Sequence, residues 1–476
     1  MKMKSSTELV QILKDEDDFI VDSNTKEEWA VFTVNDKKHT AKVNSSTYKE
    51  RIQYMYYSEQ QQPLPKGTLE EIVTTLAAHT KYETEQKQLF LRVGESEGRF
   101  FYDLCDESGN VVEISSVLKI KPTKEIIFKK FEEQKKQIIS NKSKKLSEIF
   151  KYINIASSEQ LLLAVYIVSC FIPNIQHPIL LLYGESGNGK STISTIIKEL
   201  VDPSKNSLTK ISSSESDLYL SIERNWLTVF DNESSLNSKM SDNLCRAVTG
   251  IAISRRKLYT DNDTVSNNVK QCIILNGIEN IATKEDLLNR SLIFEVLRKK
   301  DSEVVPFRDL MEEFENFKPE FLRKIFEVLL KAKSIYAELT DFKCTSRMAE
   351  FEKWGFAIGQ AINGNGELFL KQYMANMLKQ ENEAIASNTL VSAIETILNA
   401  SENGFIELRP SDLLVRIRQI AHKEGLNIHS DTMPKDAASV TKKIKAYKTL
   451  LNKIGIEFEH NGHNRKGSQI QLRKNK

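Results

Sequence analysis

Hydrophobic and polar positions change their period along this chain, and each change marks a module. The first third favours two-residue alternation: 29–34 and 89–93 read as strands, and 98–104 with 110–114 reads as a hairpin closed by Asp106-Glu107-Ser108-Gly109. A helical repeat covers 69–79. Residues 129–145 carry seven lysines and no apolar stripe, and predict a polar helix or tether that ends a first domain. The pattern then becomes apolar in short runs. Ser157, Ser158 and Glu159 open a helix over 160–172 that is apolar all round and so belongs inside a core. Strands follow at 179–183, 208–211, 226–231, 271–275 and 291–296, with helices at 192–200 and 239–249 between them. Apolar strands alternating with helices specify a parallel sheet.

From 312 to 377 the period is helical, with amphipathic stretches at 321–336 and 347–361, as in a lid-like bundle. The last stretch reads as helix 389–400, strand 405–408, helices 410–422 and 434–454, then strands 456–459 and 469–472 around a polar tip. Helices followed by a two-stranded wing predict a winged helix-turn-helix. The expected fold is therefore multidomain α/β: an α/β domain at 1–146, a phosphate-loop core at 147–300, a helical lid at 301–385 and a winged helix at 386–476.

Composition narrows the function only locally. With 67 Lys+Arg against 65 Asp+Glu in 476 residues, the net charge of +2 sets up no global field for a polyanion. Residues 435–476 are the exception, with eleven cations against three acids, which predicts DNA binding through Lys442, Lys443, Lys445, Arg465 and Lys466. Five scattered cysteines without a C-x-x-C pair argue against a disulfide framework and for a cytoplasmic protein. The longest apolar run, 161–172, is too short to span a bilayer, so no membrane partner is expected.

The chemistry is concentrated at Gly184-Glu185-Ser186-Gly187-Asn188-Gly189-Lys190-Ser191-Thr192, between a predicted buried strand and a predicted helix. Glycines let the backbone curl so that its N–H groups face phosphate oxygens at a helix N-terminus. Lys190 adds charge for the terminal phosphates, and the Ser191 hydroxyl is a Mg²⁺ ligand. ATP and Mg²⁺ are the expected cofactors. Further along, 226–230 is an apolar run closing on Asp231, the carboxylate expected to hold Mg²⁺ with Ser191. Asn232 follows it; an amide orients water but takes no proton, so the base is Glu233 or Glu185.

Asn276, at the end of a strand, is placed to orient the attacking water. Arg290, before the strand at 291–296, is read as a finger for a neighbouring subunit's nucleotide, and Arg347 as a phosphate sensor. Two extended arms over 253–265 form a hairpin with Arg255, Arg256 and Lys257 on its first arm and Tyr259 as a stacking face, suited to a DNA strand.

With these residues in view, the chain resembles the self-loading replicative helicases of phages, integrated elements and staphylococcal islands, whose ATPase core is similar to those of superfamily III and MCM helicases. The resemblance rests on 184–192, Phe230-Asp231-Asn232, Leu258-Tyr259-Thr260-Asp261, 274–279 and Asp286-Leu287 with Arg290. It implies an AAA+ ring, a hexamer, with ATP hydrolysed between subunits. It further implies a hairpin gripping single-stranded DNA in the pore and a C-terminal domain on duplex or origin DNA. Within that family Asn232 is the usual residue. A helicase and replication initiator of a mobile genetic element is the leading expectation. An ATP-switched origin-binding or helicase-loading protein without unwinding is the alternative, and a defence ATPase the third.

Overall fold

The apolar runs that punctuate the middle of the chain assemble into a four-stranded sheet, ordered Leu227–Glu233, Cys272–Gly277, Ile179–Tyr183, Ser291–Glu295. The computed structural model describes residues 5–233, 236–250, 253–256, 264–267, 270–278, 284–428, 432–464 and 467–475. The first three strands are parallel, with Leu181 opposite Leu275 and Val229 opposite Ile274. Ile179, Leu180, Leu181 and Leu182 are all buried, as a sheet covered on both faces requires. The chain first places strands on one side of Ile179–Tyr183 and then crosses to the other with Ser291–Glu295. That reversal creates a switch point at the carboxyl ends of the strands, where open α/β sheets bind ligands.

One expected strand of this sheet is reduced to a single bridge. Residues 208–211 contribute only Thr209, whose N–H donates to Val229 O at 3.0 Å and whose carbonyl accepts from Asp231 N at 2.8 Å. Leu208 and Ile211 are only half-buried and Lys210 between them is exposed, so little buried apolar surface extends the pairing.

The chain divides into two compact units, one of Met1–Ser234, Asn243–Glu279 and Phe294–Tyr373, the other of Ser235–Asp242, Asn280–Ile293 and Met374–Lys476. In the first, two further four-stranded sheets precede the core. Helices Ser6–Glu16 and Ser46–Gln60 were not expected from the sequence. The second buries a stripe of Tyr48, Ile52, Met55 and Tyr56 but carries polar residues between them, and Ser45 accepts from Tyr48 N to start it. The strand expected at 89–93 breaks into Leu89–Phe90 and Val93–Ser96, because Arg92 turns the backbone at φ +59°.

That turn aims Arg92 into the protein. Its guanidinium donates to Asp202 Oδ1 at 3.0 Å and to the carbonyls of Asp103, Lys135 and Pro203 at 3.1 Å each. Asp202 Oδ2 receives Lys198 Nζ at 2.9 Å and Leu227 N at 3.1 Å. All three side chains are at most 2 % exposed. Burial alone would raise the Asp202 carboxyl, but Lys198 and Arg92 hold it below the usual carboxylate range.

Residues 129–145 form no helix beyond isolated turns, so the tether reading applies. Their backbone is used by neighbours instead: Lys135 N donates to Pro203 O, Gln137 N to Leu104 O and Ser140 N to Pro319 O. The Gln137 amide donates to Glu199 O and Leu200 O at 3.0 Å, closing the last turn of helix Lys190–Val201. The amphipathic stretch at 321–336 is part of a longer helix, Phe307–Glu338, which runs through Pro319.

In the second unit, helix Thr389–Asn399, strand Phe405–Leu408 and helix Pro410–Lys423 precede two short helices, Ala437–Ala446 and Lys448–Lys453. The single helix expected at 434–454 is interrupted at Tyr447. Strands Ile456–Asn464 and Gly467–Lys474 form a hairpin whose second strand also pairs with Phe405–Leu408, giving three antiparallel strands.

His177 enters the core immediately before strand Ile179–Tyr183, fully buried and edge-on to Trp226 at 5.8 Å. Burial pushes its imidazole down to about 3, so the folded state holds it neutral. Between the ordinary value of about 6.5 and the lowered one, the unfolded chain binds the extra proton. Stability is therefore full above about pH 6.5 and falls with acidification, by about 2 kcal/mol between pH 6.5 and 5. Denaturant unfolding at both pH values should show this slope, and His177→Leu should flatten it.

Candidate nucleotide site

Strand Ile179–Tyr183 delivers the chain to 184–189, and helix Lys190–Val201 begins at the next residue. Gly184, Gly187 and Gly189 have φ of +146°, +85° and +90°, a region that L side chains rarely enter. At Gly184 a Cβ would also sit 2.7 Å from Val296 O. The Asn188 side chain donates to that same carbonyl at 2.9 Å and so ties the loop to the residue after the fourth strand. This role of Asn188 is visible only in three dimensions.

Lys190 Nζ donates to Gly184 O and Glu185 O, both at 2.7 Å. Partial burial lowers its affinity for a proton, and Asp231 opposes that shift. The Ser191 hydroxyl lies 2.8 Å from Asp231 Oδ1, so the two oxygens expected to hold Mg²⁺ are brought together. Hard oxygens of this kind suit Mg²⁺, whose remaining positions are filled by water and phosphate. Among the described residues no cluster of three or more His, Cys, Asp or Glu could hold a metal unaided.

Asn276 is 1 % exposed and links the site's parts. Its Nδ2 donates to Asp231 Oδ1 at 2.5 Å and to Ser194 Oγ at 3.1 Å, while its Oδ1 accepts from Asn232 N at 2.7 Å. Asn232 adopts φ +58° where the register of strand Leu227–Glu233 shifts. Asparagine tolerates that left-handed geometry better than most residues, which explains an amide at this position. The Glu233 carboxylate accepts from Ile211 N at 2.7 Å, whereas the Glu185 side chain is exposed.

Beside the loop is a cavity of about 350 Å³ lined by Ser186, Gly187, Asn188, Gly189, Thr192 and Ile193 on one side. Tyr152, Val304, Val305, Phe307 and Leu310 line the other. Val304, Val305 and Phe307 are 64, 48 and 55 % exposed, an apolar cost that a nucleoside would relieve. Sequence reasoning missed them because they lie in the chain leading into a helix with no motif of their own.

Other expected residues lie elsewhere. Arg290 is 9 % exposed and donates to Asp286 O at 2.9 Å while pairing with the Asp286 carboxylate. Arg347 is exposed and precedes helix Ala349–Ala361; it does not line the cavity. Strands Ile253–Arg256 and Thr264–Asn267 pair antiparallel, which puts Arg255 opposite Val265 and Arg256 opposite Thr264. Lys257 and Tyr259 fall outside the described residues, as do Arg465 and Lys466. On helix Ala437–Ala446, Val440 and Ile444 are buried, Lys442 and Lys445 exposed and Lys443 half-buried. Arg416 and Arg418 are exposed on the preceding helix, an addition to that basic set.

A family model described as an actinomycete integrative conjugative element replication protein matches residues 146–378. A second, the AICE RepA C-terminal domain, matches 389–476, so the two together cover about two thirds of the chain. No curated protein matches it. Two apo structures of the NrS-1 C-terminal region are similar at a TM-score of 0.42, with 12 and 14 % identity. They cover 98 and 99 % of this chain and 98 and 100 % of their own.

Proposed function

We propose that this chain, which matches the family models of integrative conjugative element RepA replication proteins, is an ATP-driven DNA helicase that initiates replication of a mobile element. The observation that carries this reading is the closed set Ser191–Asp231–Asn276 around a glycine loop at a sheet switch point. In it the loop N–H groups and Lys190 hold the β- and γ-phosphates, and the adjacent cavity, where Val304, Val305 and Phe307 stand beside Arg298 and Lys299, holds the nucleoside. Ser191 and Asp231 would hold Mg²⁺, which supplies charge neutralisation on the phosphate oxygens. Asn276 fixes Asp231 on one side and Asn232 on the other, and so orients the attacking water. The proton acceptor is a carboxylate of the same rim, Glu233 or Glu185.

The fold in this proposal is an AAA+ core followed by a winged helix. The three antiparallel strands and four helices at the C-terminus support the second part, and their exposed Lys442, Lys445, Arg416 and Arg418 supply a basic face for duplex or origin DNA. The hairpin bearing Arg255 and Arg256 is assigned to the single strand in a homohexamer's pore. Arg290 as an intersubunit finger requires release from Asp286 on assembly.

Asn276→Ala tests the chemical assignment. It should lower kcat for ATP about a hundredfold with nucleotide affinity changed only a few fold, the signature of an interaction needed in the transition state. Steady-state hydrolysis and equilibrium binding of a fluorescent nucleotide measure the two separately. Unchanged turnover would remove Asn276 from the mechanism.

A further inference from the structure

A second, larger cleft of about 1040 Å³ lies within the first unit, and the nucleotide reading makes no use of it. Trp29 and Lys42 of the N-terminal sheet form one wall, Lys129 and Phe131 of the tether another, and Arg224 and Gln271 of the core a third. Its volume is at the upper end of the roughly 300–1,000 Å³ of small-molecule pockets.

Two buried side chains in its wall have a polar atom without a hydrogen-bond partner among the described residues: Trp29 Nε1 and Gln271 Oε1. Their residues are 2 and 8 % exposed. Both atoms are closed off from water, so a partner reaches either of them only when the wall around it moves. Cations sit over the aromatic rings nearby. Lys42 and Lys129 lie 5.8 and 5.5 Å from the Trp29 ring, and Arg224 lies 6.0 Å from the Phe131 ring. Gly250 and Lys270 also line the cleft, and the chain between them carries the hairpin strands Ile253–Arg256 and Thr264–Asn267.

We propose that this cleft holds a segment of single-stranded DNA. Unstacked bases present flat faces that suit the half-buried Phe131 ring and the exposed Arg224 guanidinium, and both of these line the cleft. Carboxylates of Glu27, Glu132, Glu133 and Glu223 are in the same wall and offset its cations. Base contacts, rather than phosphate neutralisation, therefore carry the interaction, and its salt dependence is shallow compared with that of the basic C-terminal face. The proposal rests on the reading of this chain as a protein that acts on DNA, but not on hydrolysis.

The test uses the full chain and an oligo-dT containing 5-iododeoxyuridine, cross-linked by ultraviolet light and mapped by mass spectrometry. Cross-links are expected in peptides containing Phe131 or the neighbouring Trp29. The double substitution Lys42→Ala with Arg224→Ala, at two exposed side chains, should weaken oligo-dT binding about tenfold with basal ATP turnover unchanged. Cross-links confined to 253–267 and 435–476, or an unchanged affinity in the double variant, would overturn the cleft assignment while leaving DNA action intact. No cross-link anywhere would overturn both.

Discussion

Lys190→Ala is expected to lose at least about a hundredfold in kcat for ATP hydrolysis while the protein stays folded. The two halves of this expectation have separate causes. Catalytically, Lys190 opens the loop helix near Asp231, and in the proposed hydrolysis its ammonium would meet the charge that accumulates on the transferred phosphoryl group. Structurally, it donates only to the carbonyls of Gly184 and Glu185 in a partly exposed loop, which water satisfies when the side chain is removed. Phosphate release under saturating ATP and a thermal melt by circular dichroism read the two halves. A melt lowered by many degrees would show that Lys190 is structural.

Asp202→Ala should instead destabilise the protein by about 3–5 kcal/mol, because it leaves two buried cations, Arg92 and Lys198, without their carboxylate. It also strips Leu227 N of its acceptor at the start of the strand that ends near Asp231. Urea unfolding at pH 7 measures the loss. Reducing one excess charge as well, with Arg92→Met in the same chain, should recover part of it, since the penalty is that of uncompensated buried charge. A loss below about 1 kcal/mol would mean that the network is solvated on the timescale of unfolding.

These two predictions show what the sequence makes legible. The glycine loop between a strand and a helix could be read because glycines at fixed spacing follow an apolar run and precede a helical one. Asp231 and Asn276 could be read because each ends an apolar strand of the same sheet. The Arg92–Asp202 contact could not: its partners are 110 residues apart, and Arg92 lies within a pattern that reads as plain strand. Tertiary demand for a buried guanidinium overrode the alternation at 89–93 and put a turn there. Likewise Asn232 gives no sign in sequence that its backbone is left-handed. The cavity wall at Val304, Val305 and Phe307 is contributed by a linker and the first residue of the helix after it, where hydrophobic residues carry no periodic signature.

The central claim is that hydrolysis at Lys190 is coupled to movement on DNA. It is tested most directly by strand separation on a forked duplex, with ATP and Mg²⁺, by the native protein and by Lys190→Ala side by side. The account predicts separation by the native protein alone. Separation by Lys190→Ala, or steady ATP turnover by the native protein with the fork left intact, would contradict it and favour a protein that uses nucleotide only to bind its origin.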